Sequence, residues 1–307
     1  MRAPDTPRRG GPLRRIADQP YLLLSLTSLF WAGNIIVGRA VAGMVPPVTL
    51  AFIRWAGAFI LILPFSWRAL RANWAAIVAH WPFMLLLSIT GVGAYNTLAY
   101  IGLQHATALN ALLIQSAAPL FVAFWSLVLF GSRLTAAQAA GILLSLIGVL
   151  TIIVHGDVAA LLSVHLNRGE LLFGGALLIF CLYSALMPRR PQVHPQAFLA
   201  FVIGCGALLN IPFVIWEWER GAAMTLLALA YVIVFPSVLA YVCYNRGVEL
   251  IGPNRAAPFF HLIPVFGSVL AIVCLGEEPR PFHAVGYILV LFGVLVAARS
   301  KPLETHD

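Results

Sequence analysis

Thirteen polar or amphipathic side chains interrupt the long apolar runs of this sequence, several of them at helical spacing. Trp31 and Asn34 lie one turn apart, Asn96 and Tyr100 lie one turn apart beside Tyr95, and Gln115 and Ser116 stand just before Pro119. Further on come Tyr183 and Ser184, then Tyr241, Tyr244 and Asn245, and His261 one turn before Pro264. These residues supply no nucleophile–base pair, no carboxylate dyad and no cluster of metal ligands, so neither catalysis nor a metal or other cofactor is expected. What they can do is bind. Amides and hydroxyls hold an ammonium or a carboxylate, and rings accept an apolar or cationic group by stacking or cation–π contact. The competing use of each is an interhelical hydrogen bond, worth about 1 kcal/mol or less. Both uses stay open residue by residue, but the recurrence of such groups near the middle of apolar runs favours a shared pocket.

Charge narrows the ligand. A phosphorylated sugar or nucleotide would call for several cations inside the apolar runs, and Arg54 alone lies within one. Arg54 reads either as a ligand for a substrate carboxylate or as a structural cap on backbone carbonyls. His261 is the group within a run that can change charge near neutral pH. It reads either as a coupling site for protons or as a neutral histidine bonded to a neighbouring helix. Trp67, Trp74, Trp81, Trp216 and Trp218 sit near the ends of runs, where tryptophan serves as an interfacial anchor.

The elements that carry these residues are set by composition. The chain of 307 residues is 61% hydrophobic and only 10% charged, against about 25% charged in a soluble domain. Its apolar surface therefore needs lipid as solvent. Ten runs are long enough to cross a hydrocarbon core about 30 Å thick: 20–42, 47–67, 77–101, 106–130, 136–155, 169–187, 196–216, 223–245, 255–275 and 281–299. Lipid offers no partners to backbone polar groups, and unbroken apolar runs rather than alternating ones select helices over a barrel. The first run is too long for a secretory leader and reads as retained. Cys181, Cys205, Cys243 and Cys274 lie singly in apolar runs and read as inert buried thiols. The net charge of +8 is not organised into a basic domain, so nucleic acid is not an expected partner.

With the N-terminus placed inside, fourteen of the nineteen Lys and Arg residues fall in inside segments and four in outside connectors. That bias predicts cytoplasmic termini. Residues 102–150 align without a gap to 247–295, with 13 of 49 positions identical, among them Gly102/Gly247, Pro119/Pro264, Gly131/Gly276, Gly141/Gly286 and Gly148/Gly293. Five is an odd number of spans, so a second copy must enter upside down. Inverted repeats of this kind hold a substrate near the midplane at the repeat interface in transporters. The small residues Gly141, Ser145 and Gly148, mirrored by Gly286 and Gly293, fit close helix packing within the molecule or a dimer seam. A monomer is expected, with a dimer as the alternative.

The segments "LFWAGNIIVGR", "AFIRW", "YIGLQHATALNALLIQSAAPLF" and "GILLSLIGVL", with "NRGVELIGPNRAAPFFHLIPVFGSVLAIVCLGEE" in the second half, resemble the drug/metabolite transporter superfamily, and most closely its ten-helix EamA branch. The resemblance covers roughly residues 20–298 and implies a ten-helix metabolite exporter, a class that includes amino-acid exporters. One departure is Ser132, where the family commonly has an acidic residue after the glycine that ends the fourth span.

The expectation is an all-α integral membrane protein of ten helices in two inverted five-helix repeats. Its parts are a basic arm (1–19), a first repeat (20–155), a second repeat (169–299) and a short tail (300–307). It would export small amphipathic metabolites, amino acids first, across a bacterial inner membrane by alternating access. Efflux of organic cations or drugs, and a non-transporting membrane enzyme or scaffold, are the alternatives. Pro119 and Pro264, equivalent in the alignment, are the expected hinges, because proline removes a helix hydrogen bond and permits a bend.

Overall fold

Every element of the described chain is a helix. The structure is a computed structural model and describes residues 16–106, 108–154, 167–217, 226–275 and 281–299. Most of the basic arm, the tail and the second-half "GEE" turn lie outside these residues. We label the main helices α1 (Pro20–Ala40), α2 (Pro47–Ala72), α3 (Trp81–His105), α4 (Ala108–Gln115), α5 (Ala118–Phe130) and α6 (Ala136–Ile153). The remainder are α7 (Arg168–Leu186), α8 (Pro195–Glu217), α9 (Leu229–Ile251), α10 (Leu262–Leu275) and α11 (Pro281–Arg299).

Six helices, α1, α2, α3, α7, α8 and α9, are long and apolar enough to cross a bilayer, with shorter apolar helices among the others. The outward faces carry large apolar side chains such as Phe65, Ile215, Trp216 and Ile288, all more than 55% exposed. Apolar surface on that scale belongs in lipid rather than water. The expected span boundaries shift, and the second run continues to Ala72 rather than ending at 67. The third run begins at Trp81 and continues to His105 rather than ending at 101, and the eighth continues to Ile251 rather than ending at 245. Tyr241, Tyr244 and Asn245 therefore lie well inside a helix and not at its tip.

Helix ends are satisfied by specific partners. Asn167 and Glu170 form a reciprocal cap at the start of α7, which satisfies two donors that a helix N-terminus leaves free. At the start of α2, Pro47 has no N–H to satisfy, and the Glu217 carboxylate at the end of α8 accepts from Val48 N (3.4 Å), Thr49 N (2.7 Å) and the Thr49 hydroxyl (2.9 Å). Glu217 is buried, so one chain end of α8 closes the open donors of another helix.

The small residues pack within the molecule. A Cβ added to Gly141 would stand 2.6 Å from the Gly293 carbonyl oxygen, and one on Gly148 would stand 2.8 Å from that of Gly286. Glycine at these positions lets α6 and α11 run with their backbones in contact.

Four helices depart from regular geometry. Chain residues Ile89–Gly93 in α3 and Val234–Leu239 in α9 form π turns, each inserting extra backbone into the helix. The run around Pro119 breaks at 116–117, and Pro119 then sits in the first turn of α5. The run around Pro264 starts as a tight 3-10 turn, Ala257–His261, and Pro264 falls in the first turn of α10. Each interruption thus precedes its proline, since proline lacks the N–H that would bond the carbonyl one turn back.

Candidate functional site

The two π turns meet a polar cluster built around Arg54. Arg54 is 1% exposed and seven residues into α2, about 10 Å along the helix from its start at 1.5 Å per residue. Its Nη1 donates to Asn96 Oδ1 (2.7 Å), the Tyr100 hydroxyl (2.9 Å) and Asn34 Oδ1 (3.2 Å). Its Nη2 donates to the Pro236 carbonyl (3.0 Å), and Nε donates to the Ser237 hydroxyl. Pro236 and Ser237 belong to the π turn of α9, which turns them out of the regular ladder as acceptors. Of the two readings left open for Arg54, the capping of a carbonyl is present, together with four side-chain contacts that sequence spacing did not suggest.

Around that cation, Tyr100 donates to Asn34 Oδ1 (2.7 Å), and Trp31 Nε1 donates to the Pro236 carbonyl (3.2 Å). Asn96 Nδ2 reaches the Tyr241 hydroxyl at 3.5 Å, and Tyr241 in turn donates to the Gly91 carbonyl in the π turn of α3. A second polar group lies across the aromatic core. Tyr183 donates to Asn245 Oδ1 (2.8 Å), and the Ser184 and Tyr244 hydroxyls bond to each other.

Rings join the two groups. Trp31 packs against Phe180 edge-on (5.4 Å between centroids), stacks on Phe260 (5.6 Å) and leans on Tyr244 (5.1 Å). Tyr95 lies 4.6 Å from Phe180, and Tyr183 lies 6.4 Å from Tyr241. Such offset contacts contribute about 0.5–1.5 kcal/mol per pair beyond burial. Phe180, Phe260, Pro236 and Ser237 are the members that sequence reasoning missed. An apolar ring in an apolar run has no contrast, whereas a proline in mid-run at 236 was a readable sign of irregular backbone.

Trp31, Asn34, Ile35, Arg54, Tyr95, Asn96, Gln115 and Ile263 line a central cavity of about 10 Å³. That is room for one water and nothing larger. Gln115 Oε1 and Asn245 Nδ2 are buried without a hydrogen-bond partner among the described residues. His261 and Ser116 stand apart from this cavity and act as a bridge: His261 Nε2 donates to the Ser116 carbonyl (2.7 Å), and its Nδ1 meets the Ser145 hydroxyl. This arrangement matches the interhelical-bond reading of His261. Pro119 and Pro264 are both buried.

A separate crevice of about 260 Å³ opens where α7 and α9 end, lined by Met187, Arg190, Gln192, Val248, Glu249 and neighbours. Its rim carries a chain of ion pairs, Asp18–Arg246 (2.7 Å), Arg246–Glu249 (3.3 Å) and Glu249–Arg190 (3.4 Å). No group of three or more potential metal ligands occurs among the described residues.

Known proteins resemble the chain along nearly its whole length. A transporter of Bacillus subtilis named YyaM is 25% identical over 297 residues, covering 91% of this chain and 93% of its own. A transporter of Archaeoglobus fulgidus is 27% identical over 295 residues, covering 92% and 99%. A probable terminal-alkyne amino-acid exporter of Streptantibioticus cattleyicolor is 24% identical over 221 residues, covering 71% and 73%. A solved crystal structure superposes with a TM-score of 0.73 at 20% identity, covering 90% of this chain and 96% of its own, so the two share a fold. The model of the EamA-like transporter family matches residues 19–154 and 167–299. With both halves matched, an all-helical apolar body around them and a bilayer as its solvent, this chain is a membrane transporter and belongs to the EamA-like transporter family, within the drug/metabolite transporter superfamily.

Proposed function

We propose that the protein exports small amphipathic metabolites, amino acids foremost, from the cytoplasm across a bacterial inner membrane by alternating access. Two inverted five-helix halves, 20–155 and 169–299, rock about the central cavity. The cavity itself carries this reading: amides, a tyrosine and a tryptophan around one cation, shut down to the volume of a water, is what an occluded site for a small polar solute looks like. The exporter name of the Streptantibioticus relative agrees with the substrate class.

Pseudosymmetry supports the two halves. The π turns begin 145 residues apart, at Ile89 and Val234, the offset at which residues 102–150 align with 247–295. At the same offset, the carbonyls of Gly91 and Pro236 both accept bonds from the opposite half. A tyrosine–asparagine bond also occurs in each half, with the partners exchanged. In the first half α1 supplies Asn34 and α3 supplies Tyr100; in the second α7 supplies Tyr183 and α9 supplies Asn245. The thirteen residues from Trp31 to His261 divide accordingly. Those lining or bonded to the cavity contact solute, and Ser116 and His261 tie the moving helices. Pro119 and Pro264 mark where these helices flex.

The test is counterflow of labelled amino acids into proteoliposomes, with Tyr95, Gln115 and His261 each replaced in turn. Uptake above empty liposomes, weakened most by Tyr95→Ala and Gln115→Ala, is expected. Flux of a quaternary ammonium dye without flux of any amino acid would replace this reading with cation efflux.

A further inference from the structure

We propose that Arg54 is the carboxylate anchor of the transport site, and that a carried solute must present a small carboxylate to Arg54 and a hydrogen-bond donor to Gln115. This inference rests on the transporter reading and deepens it by naming what the solute must carry.

Arginine cannot shed its proton at any relevant pH, so a buried Arg54 is a fixed positive charge. Among the described residues no carboxylate forms an ion pair with it. All the acceptors around it are neutral: two amides, two hydroxyls and one carbonyl. Neutral dipoles, with the face of the Trp55 ring 4.5 Å from the guanidinium carbon, ease the charge but bring no opposite charge to it, and an ion without a counter-ion in a low-dielectric interior is expensive. The nearest chemistry that would offset it is an anion delivered from outside the protein.

Donor accounting points the same way. Nη1 offers two hydrogens to three acceptors, whereas Nη2 offers two hydrogens and has one acceptor, the Pro236 carbonyl. One N–H of Nη2 is left over on a side chain that lines the central cavity. A carboxylate is the natural acceptor for it, since guanidinium and carboxylate match in shape and charge. Gln115 lines the same cavity, and its Oε1 is buried with no donor among the described residues. An ammonium or amide N–H on the solute would complete it. A solute with both groups, such as an amino acid, leaves neither partner unpaired.

The corresponding place in the second half holds no cation. "AFIRW" in α2 corresponds to "AFVIG" in α8, which sets Arg54 against Ile203. Ile203 is fully buried at its own position, so the second half packs the equivalent place with a hydrocarbon. A charge kept in one half and absent from the other serves something that the repeat does not share.

The experiment measures calorimetric binding to purified protein in lipid nanodiscs, using leucine, leucinamide, 4-methylpentanoate and 3-methylbutylamine. Leucine and 4-methylpentanoate keep the carboxylate; leucinamide and 3-methylbutylamine lack it. The expected result is leucine at least about tenfold tighter than leucinamide, and 4-methylpentanoate at least about tenfold tighter than 3-methylbutylamine, the worth of one charged hydrogen-bonded contact, with leucine ahead of 4-methylpentanoate because the latter offers Gln115 no donor. Arg54→Lys should narrow that preference and Arg54→Gln should erase it. The comparison of solutes on unaltered protein stands even where the Arg54→Gln variant fails to fold. Equal binding of leucine and leucinamide, no binding of either carboxylate at millimolar concentration, or an unchanged preference in a monodisperse Arg54→Gln variant overturns the anchor. Counterflow separates the two proposals. Carboxylate binding without leucine flux removes the amino-acid exporter and keeps the anchor, whereas leucine flux inhibited equally by leucinamide removes the anchor and keeps the exporter.

Discussion

Glu217 gives the sharpest stability prediction. Its carboxylate accepts from two main-chain N–H groups and one hydroxyl at the start of α2, and it is buried. Among the described residues no other acceptor stands ready there. Pro46, which precedes the helix, offers no side-chain cap, and Leu50 N is already bonded to the Pro46 carbonyl at 2.9 Å. Glu217→Ala would leave the Val48 and Thr49 N–H groups buried and unpaired. At about 1–3 kcal/mol for each unsatisfied donor, with a further contribution from the lost charge at a helix N-terminus, we expect a loss of about 3 kcal/mol. That is roughly a hundredfold in the folding equilibrium. Glu217→Gln keeps the acceptor for Thr49 but leaves Val48 N without one and loses the charge, so it should cost about 2 kcal/mol, less than the alanine variant. The assay is equilibrium unfolding of purified protein in mixed detergent micelles, followed by circular dichroism. An alanine variant within 0.5 kcal/mol of the parent, a threshold about half the worth of one hydrogen bond, would refute the accounting. So would a glutamine variant as damaged as the alanine one.

Other expectations are cheaper to check. Gly141→Ala puts a Cβ 2.6 Å from the Gly293 carbonyl and 2.7 Å from Ala297 N, so α6 and α11 must separate, and thermal unfolding should show a loss of about 1–3 kcal/mol. Gly267→Ala meets its nearest neighbour, Leu112, at 3.8 Å and should leave the melting temperature unchanged or raise it. Tyr241→Phe removes the donor to the Gly91 carbonyl. It should lower stability by about 1 kcal/mol and increase hydrogen exchange at 89–93, whereas unchanged exchange there would argue that the π turn holds itself. His261→Gln retains an Nε2-like donor for the Ser116 carbonyl and should keep more counterflow activity than His261→Ala.

Much of the fold was legible because lipid is an unforgiving solvent. Apolar runs stand in plain sequence and describe the helices, and the small residues Gly141 and Gly148 foretell the close packing of α6 on α11. The polar residues of the site were legible for the same reason, since Asn34, Asn96 and Gln115 contrast with everything around them. What spacing cannot give is a partner on another helix. Nothing near position 54 says that its side chain will find Pro236 and Ser237, and nothing near Glu217 says that it will cap α2. The π turn at 89–93 leaves no proline to mark it, whereas the one at 234–239 carries Pro236 as its only sign. His261 stood out for its chemistry, and its neighbours turned out to be a carbonyl and a serine on other segments.

The π turns at Ile89–Gly93 and Val234–Leu239 are also reserves of length. An inserted residue in a helix is slack: if it moves along by one position, the residues it passes rotate by about 100° while both helix ends stay where they are. Asn96 and Tyr241 lie just beyond these turns, on the same helices as Tyr100 and Asn245. A bulge that migrated past them would turn the walls of the cavity like a key while every loop kept its place. The two helices could then exchange one set of wall residues for another without sliding through the lipid at all.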